Sequence, residues 1–162
     1  MTQAPRPAPA PHPPVDAGRL WAGGAAAAVV AALIAVAGIV LARGVFDIPI
    51  LARESDGTWG DASTLWYAVL AAFAAIVATA LIQVLIRTTP EPRKFFGWII
   101  ALATVIGVLV PFTTDADWDS KIATSVLNLV LGVAIGTLVS SVAKSAVAAA
   151  LPPAPGWPQA NP

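Results

Sequence analysis

Four long stretches of the chain carry no charged side chain, and Ala, Val, Leu, Ile and aromatic residues fill most of each one. They are residues 20–42, 62–86, 95–114 and 122–143. A bilayer core of about 30 Å needs roughly 20 apolar residues in a helix, because each residue adds about 1.5 Å. All four stretches reach that length. The pattern therefore predicts four transmembrane helices, at about residues 20–43, 63–87, 95–113 and 121–150.

Two other interpretations of these stretches fit less well. A water-soluble four-helix bundle would present a charged face on every helix, and none of the four stretches has one. A cleaved signal peptide would account for the first stretch, since Arg19 gives it a basic flank. However, residues 20–42 exceed the about 7–15 residues of a signal peptide's apolar region. We expect an all-α membrane protein whose four helices form an antiparallel up-down bundle.

Both ends of the chain are rich in proline. Six prolines lie in residues 1–18 and five in residues 151–162. Proline lacks an amide hydrogen and favours the polyproline II conformation, so we expect both segments to be disordered tails that act as solvated linkers. Docking of a partner domain on these tails is the alternative. The domain between them, residues 19–150, is expected to hold all four helices.

Lys and Arg are distributed unevenly between the two sides that four helices define. The side with both tails and the loop between helices two and three holds six of them, and the opposite side holds three. The side richer in Lys and Arg normally faces the cytoplasm. We therefore expect a multi-pass protein of the bacterial plasma membrane with both termini cytoplasmic. Aromatic residues near the helix ends fit the belts found at membrane interfaces, and they are Trp21, Trp66, Tyr67, Trp98 and Trp118.

The composition excludes several kinds of chemistry. The chain is 57% hydrophobic and 11% charged, against about 25% charged in soluble domains. It has no Cys, so it forms no disulfide and no thiolate metal site. His12 is the one histidine, which excludes a Ser-His-Asp triad within one chain. Nine basic residues and zero net charge argue against a nucleic-acid partner. We expect no catalytic residue, no cofactor and no enzymatic activity.

Three aspartates in the last loop are the weak candidates for a cation site. Asp115, Asp117 and Asp119 alternate in the way that begins an EF-hand calcium loop. That loop also needs Gly at position six and Glu at position twelve, where this chain has Ser120 and Val126. The EF-hand interpretation fails, and we expect an acidic outer surface. A weak cation site shared with the acidic residues of the first outer loop is the alternative.

Two stripes of small or polar residues predict faces for close helix packing. The stripe on helix four is Asn128, Gly132, Gly136 and Ser140. The stripe on helix one has a heptad-like spacing and comprises Gly24, Ala28, Ala31, Ala35 and Gly38. We expect both to pack inside one chain, with a contact between copies as the alternative.

Two single residues within the apolar stretches have their own expectations. An amide in lipid needs a partner, so we expect Asn128 to form a hydrogen bond with a neighbouring helix. Pro111 lies near the end of helix three and is expected to terminate that helix, with a gating hinge as the alternative.

The layout of residues 20–145 resembles a family of small, uncharacterised actinobacterial membrane proteins. Three features carry the resemblance: the segment GVFDIPI after the first helix, the middle loop RTTP, and a last helix with the pattern L-N-L-V-x-G-x-x-x-G. The resemblance implies a four-helix membrane fold and no known activity.

We weigh two functions for such a protein. The first is a non-enzymatic scaffold or accessory subunit that acts by helix–helix association in the cell envelope. Its partners would be the lipid bilayer and another membrane protein or a second copy. The alternative is a small oligomeric transporter or channel. Transport coupled to protons or sodium usually uses an ionisable residue inside the membrane. The four charge-free stretches contain no acidic or basic residue, which favours the first function.

Overall fold

A computed structural model describes residues 15–45 and 61–149, and most of them are helical. Helix α1 spans Ala17–Val45 and α2 spans Asp61–Thr88. Helix α3 spans Pro92–Leu109 and continues into a 3₁₀ turn, Val110–Thr113. Helix α4 spans Trp118–Ala149.

All four helices are long and apolar enough to cross a membrane. The predicted all-α fold with four potential membrane spans is confirmed, as expected for a multi-pass membrane protein. The predicted disordered tails lie largely outside the described residues, as does the loop at residues 46–60.

Helix α1 begins earlier than predicted because Asp16 caps it. The Oδ1 atom of Asp16 accepts a hydrogen bond of 3.1 Å from the backbone N–H of Arg19. This is the usual way in which an Asp satisfies a free amide at a helix start. The backbone N–H of Asp16 also donates to the carbonyl of Ala146 at 3.3 Å. The first turn of α1 therefore lies beside the last turns of α4.

Helices α2 and α4 form the centre of the packing. They contact each other, and each of them also contacts α1 and α3. Within the described residues, α1 and α3 do not meet. The core is built mainly from alanine, with a few large side chains between the helices, and the largest fully buried ones include Phe96, Leu20, Ile39, Ile82 and Val139. Small side chains let the helix backbones approach closely, which is the main source of packing energy in lipid.

The α2–α3 connection is a short turn set by proline. Helix α2 ends at Thr88, and Pro92 occupies the first turn of α3, where its missing amide hydrogen costs nothing. The ammonium group of Lys94 pairs with Glu91 at 2.9 Å on the exposed surface of this turn.

Candidate functional site

The end of α3 contains a break in the helical hydrogen bonding. Pro111 has no amide hydrogen, so the carbonyl of Gly107, four residues earlier, loses its usual donor. In the 3₁₀ turn Val110–Thr113, amide hydrogens bond three residues back rather than four. The carbonyl of Val108 therefore also lacks its α-helical donor. Two backbone carbonyls are left to be satisfied within an apolar span.

Helix α4 supplies both missing donors from one face. The Nδ2 atom of Asn128 donates to the carbonyl of Gly107 at 2.7 Å. The Oγ atom of Ser125 donates to the carbonyl of Val108 at 2.8 Å. Residues three apart lie on the same side of a helix, so one face of α4 meets both carbonyls. An unsatisfied carbonyl is costly in lipid because no water is present to replace the bond.

Helix α2 joins this cluster through Tyr67. The phenol O–H of Tyr67 donates to the Oδ1 atom of Asn128. Asn128 therefore connects α2, α3 and α4 through its two amide ends. We call Tyr67, Gly107, Pro111, Ser125 and Asn128 the Asn128 cluster.

Sequence reasoning found only part of this cluster. It singled out Asn128 and Pro111, but separately, and it assigned Tyr67 to the interface belt. Ser125 was missed. The sequence signal that could have predicted the cluster is Pro111 in the third span together with Ser125 and Asn128, three residues apart, in the fourth.

Beyond Asn128, the glycines of the α4 stripe pack against α3. A Cβ atom placed on Gly132 would lie 2.8 Å from the Cβ of Thr104, and one on Gly136 would lie 2.9 Å from Cγ2 of Ile100. Thr104 is held in place because its hydroxyl donates to the carbonyl of Ile100 at 2.7 Å. The structure thus places Gly132 and Gly136 against α3 of the same chain, while Ser140 is half-buried.

The stripe on α1 faces two helices. Gly24 packs on Thr79 of α2, with 2.9 Å from an added Cβ to the Cβ of Thr79. Gly38 packs on Leu127 of α4. Ala28, Ala31 and Ala35 between them are buried. In the described structure the glycines of both stripes therefore lie against other helices of the same chain.

Between the described helices, two grooves are large enough to hold a small molecule. The larger, about 690 Å³, runs between α1 and α4 and is apolar except for Asp119 at one end. The second, about 590 Å³, lies between α2, α3 and α4 and includes Tyr67 and Asn128. We call it the Asn128 groove. It combines an apolar wall with hydroxyl and amide groups.

Comparison with known proteins identifies the family. Residues 15–152, which include every helix of the structure, match the family described as "Family of unknown function (DUF6069)". The chain belongs to this family. No curated protein and no solved structure matches the chain. The expected membership of an uncharacterised family is confirmed.

The three candidate aspartates of this DUF6069 chain, Asp115, Asp117 and Asp119, are exposed. In the part of the chain that the structure describes, no group of three His, Cys, Asp or Glu side chains could hold a metal ion. Asp119 lies in the first turn of α4, where its carboxylate interacts favourably with the helix dipole. Nearby, the ammonium of Lys121 lies 5.5 Å from the ring centre of Trp118.

Replacing Asp115, Asp117 and Asp119 together with Asn is expected to leave folding intact. Exposed carboxylates away from buried partners contribute little to stability, within about 0.5 kcal/mol per site. Isothermal calorimetry with Ca²⁺ and Mg²⁺ on both proteins is expected to give the same heat trace. Saturable binding by the native chain that the triple variant loses would show that these aspartates form a cation site and not only an acidic surface.

Proposed function

We propose that this DUF6069 protein is a non-enzymatic accessory subunit or scaffold that binds another membrane protein through α3. One observation carries the proposal: α3 is the least covered helix. Phe96 is its one buried side chain in the described structure. The opposite face presents large apolar side chains that are more than half exposed, namely Trp98, Leu102, Val105 and Leu109. Their 4-3-4 spacing is that of a helix-packing seam.

The polar groups of the chain support the same proposal. Among the described residues, no buried side-chain nitrogen or oxygen lacks a hydrogen-bond partner. The glycines of both small-residue stripes also lie against helices of the same chain. The exposed face of α3 is left for a partner, and its apolar side chains favour helix–helix association over chemistry on a substrate.

The remaining features of the proposal concern location. We place the protein in a bacterial plasma membrane, with both termini cytoplasmic and the four helices in an antiparallel up-down bundle. The six-to-three excess of Lys and Arg supports this orientation. The abundance of Ala, Pro and Gly supports a high-GC, actinobacterial source.

Site-specific photo-crosslinking in native membranes tests the role of α3. A photoactivatable residue replaces Leu102 in one variant and Leu33 in the other, because these positions are 59% and 62% exposed on α3 and α1. We expect position 102 to give one defined adduct with a second membrane protein, and position 33 to give none. Equal adduct patterns at both positions, or none at either, would contradict the proposal.

A small oligomeric transporter or channel is the second candidate. The Asn128 groove favours it, because the groove brings polar side chains into an apolar span. The absence of an ionisable residue from the four charge-free stretches places it second. This function predicts a homo-oligomer without a partner protein.

A further inference from the structure

The Asn128 groove is amphipathic along its length. Towards the α3–α4 connection it is lined by hydroxyl and amide groups, those of Tyr67, Thr114, Thr124 and Asn128. Towards the other end it is lined by apolar side chains such as Ile99 and Ile135. Ile99 and Thr114 are 15 residues apart, or about 22 Å along a helix. The groove is thus about as long as an extended acyl chain that reaches past the middle of the bilayer.

The hydrogen-bonding groups of the groove favour a ligand that carries a hydrogen-bond acceptor. A side-chain amide has two N–H groups, and Asn128 uses one of them on the carbonyl of Gly107. Within the described structure, the other N–H has no partner. The O–H groups of Tyr67 and Thr104 are already donated, to Asn128 and to the carbonyl of Ile100. A ligand here would therefore bring a carbonyl oxygen to Asn128.

The charge of the lining selects for a neutral ligand. Among the residues that the structure describes, no Asp, Glu, Lys, Arg or His lines the groove. An ionised group placed there would lose its hydration without gaining an ion pair, which is costly. The volume of about 590 Å³ also falls within the roughly 300–1,000 Å³ of small-molecule sites.

We propose that the Asn128 groove is a binding site for a neutral single-chain lipid ester of the monoacylglycerol type. The acyl chain lies along the apolar part of the groove, and the ester carbonyl accepts the second N–H of Asn128. The proposal goes beyond the accessory function and does not depend on it, because the groove and the exposed face of α3 are separate surfaces.

Photo-labelling of the full chain in phosphatidylcholine nanodiscs tests this site. The probe is a monoacylglycerol with a diazirine in its acyl chain, and mass spectrometry locates the labelled peptides. We expect saturable labelling on the segments of α2, α3 and α4 that line the groove. Non-saturable labelling spread over all exposed helix faces would overturn the proposal, because it would indicate ordinary contact with bulk lipid.

Two variants on α3 separate the groove from the general surface. Ala103 lines the groove, whereas Ala101 is exposed and lies outside it. We expect Ala103→Phe to fill the groove and reduce labelling about tenfold or more, while Ala101→Phe leaves labelling unchanged. Equal labelling of the two variants would overturn the proposal. Neither substitution touches the hydrogen bonds of the Asn128 cluster, so folding is expected to be retained.

Competition by analogues tests the assigned hydrogen bond without altering the protein. The matched ether, a monoalkylglycerol, lacks the carbonyl and is expected to compete roughly fivefold less well, the effect of one neutral hydrogen bond. A single-chain phosphatidylglycerol tests the charge and is expected to compete poorly. Equal competition by the ether, or by the anionic lipid, would overturn the assignment.

Discussion

Replacing Asn128 with Leu is expected to lower the free energy of unfolding by about 1–3 kcal/mol. The substitution removes the donor to the carbonyl of Gly107 and the acceptor for the phenol of Tyr67. Both groups lie within apolar spans, where water is absent and a replacement partner is scarce. Unfolding of the purified chain in mixed micelles with increasing SDS measures the effect.

A matched control separates this effect from the loss of any amide. Gln83 on α2 is half-buried, and no hydrogen bond of its side chain is observed in the described structure. Gln83→Leu is therefore expected to change the unfolding free energy by less than about 0.5 kcal/mol. A similar loss in both variants would show that the Asn128 cluster has no special role.

The physical cause of the Asn128 effect can be isolated by restoring the missing amide at position 111. Pro111→Ala supplies an N–H that can bond to the carbonyl of Gly107. In that background, Asn128→Leu no longer leaves the carbonyl of Gly107 without a donor. The substitution is therefore expected to lower the free energy of unfolding by about 1 kcal/mol less than in the native chain. Additive effects of the two substitutions would contradict the explanation that Asn128 compensates for the proline.

Replacing Gly132 with Leu is expected to destabilise the α3–α4 contact by about 1–3 kcal/mol, the usual cost of overpacking. The new side chain would enter the space of Thr104, which is fixed by its hydrogen bond to Ile100. The matched control is Gly97→Leu. An added Cβ at Gly97 meets no atom within 4 Å. The unfolding free energy of this variant should be unchanged or slightly raised, since Leu has a higher helix propensity than Gly.

The same SDS titration measures both glycine variants. Double electron–electron resonance between one label at the N-terminal end of α3 and another in the C-terminal half of α4 reports whether the helices separate. Gly132→Leu is expected to widen this distance distribution and Gly97→Leu to leave it unchanged. If the two variants behave alike, Gly132 is not a close-packing position.

The four spans were predictable from the sequence because a potential span requires only an apolar stretch of sufficient length without charged side chains. A stretch such as residues 62–86 has no charged residue and is long enough to cross a bilayer. The end of α3 was also foreseeable, since Pro111 removes a backbone donor.

The Asn128 cluster was not predictable in full because it depends on the register between helices. The bond from Tyr67 to Asn128 joins residues 61 positions apart. The sequence places Tyr67 near a helix end, and only the packing of α2 on α4 brings it to Asn128. The stripe on α1 posed a different difficulty: in so alanine-rich a helix, several faces have small residues, and packing alone identifies Ala31 and Ala35 as fully buried.

The mass of the complex purified from its native membrane in nanodiscs, with every co-purifying protein identified, tests the proposed function most directly. We expect a complex that contains this chain and a second membrane protein in a fixed ratio, and loss of that ratio when Leu102 on α3 is replaced by a bulkier residue. A chain that purifies alone as a monomer would contradict the accessory function. A homo-oligomer without a partner would also contradict it and would favour the transporter or channel.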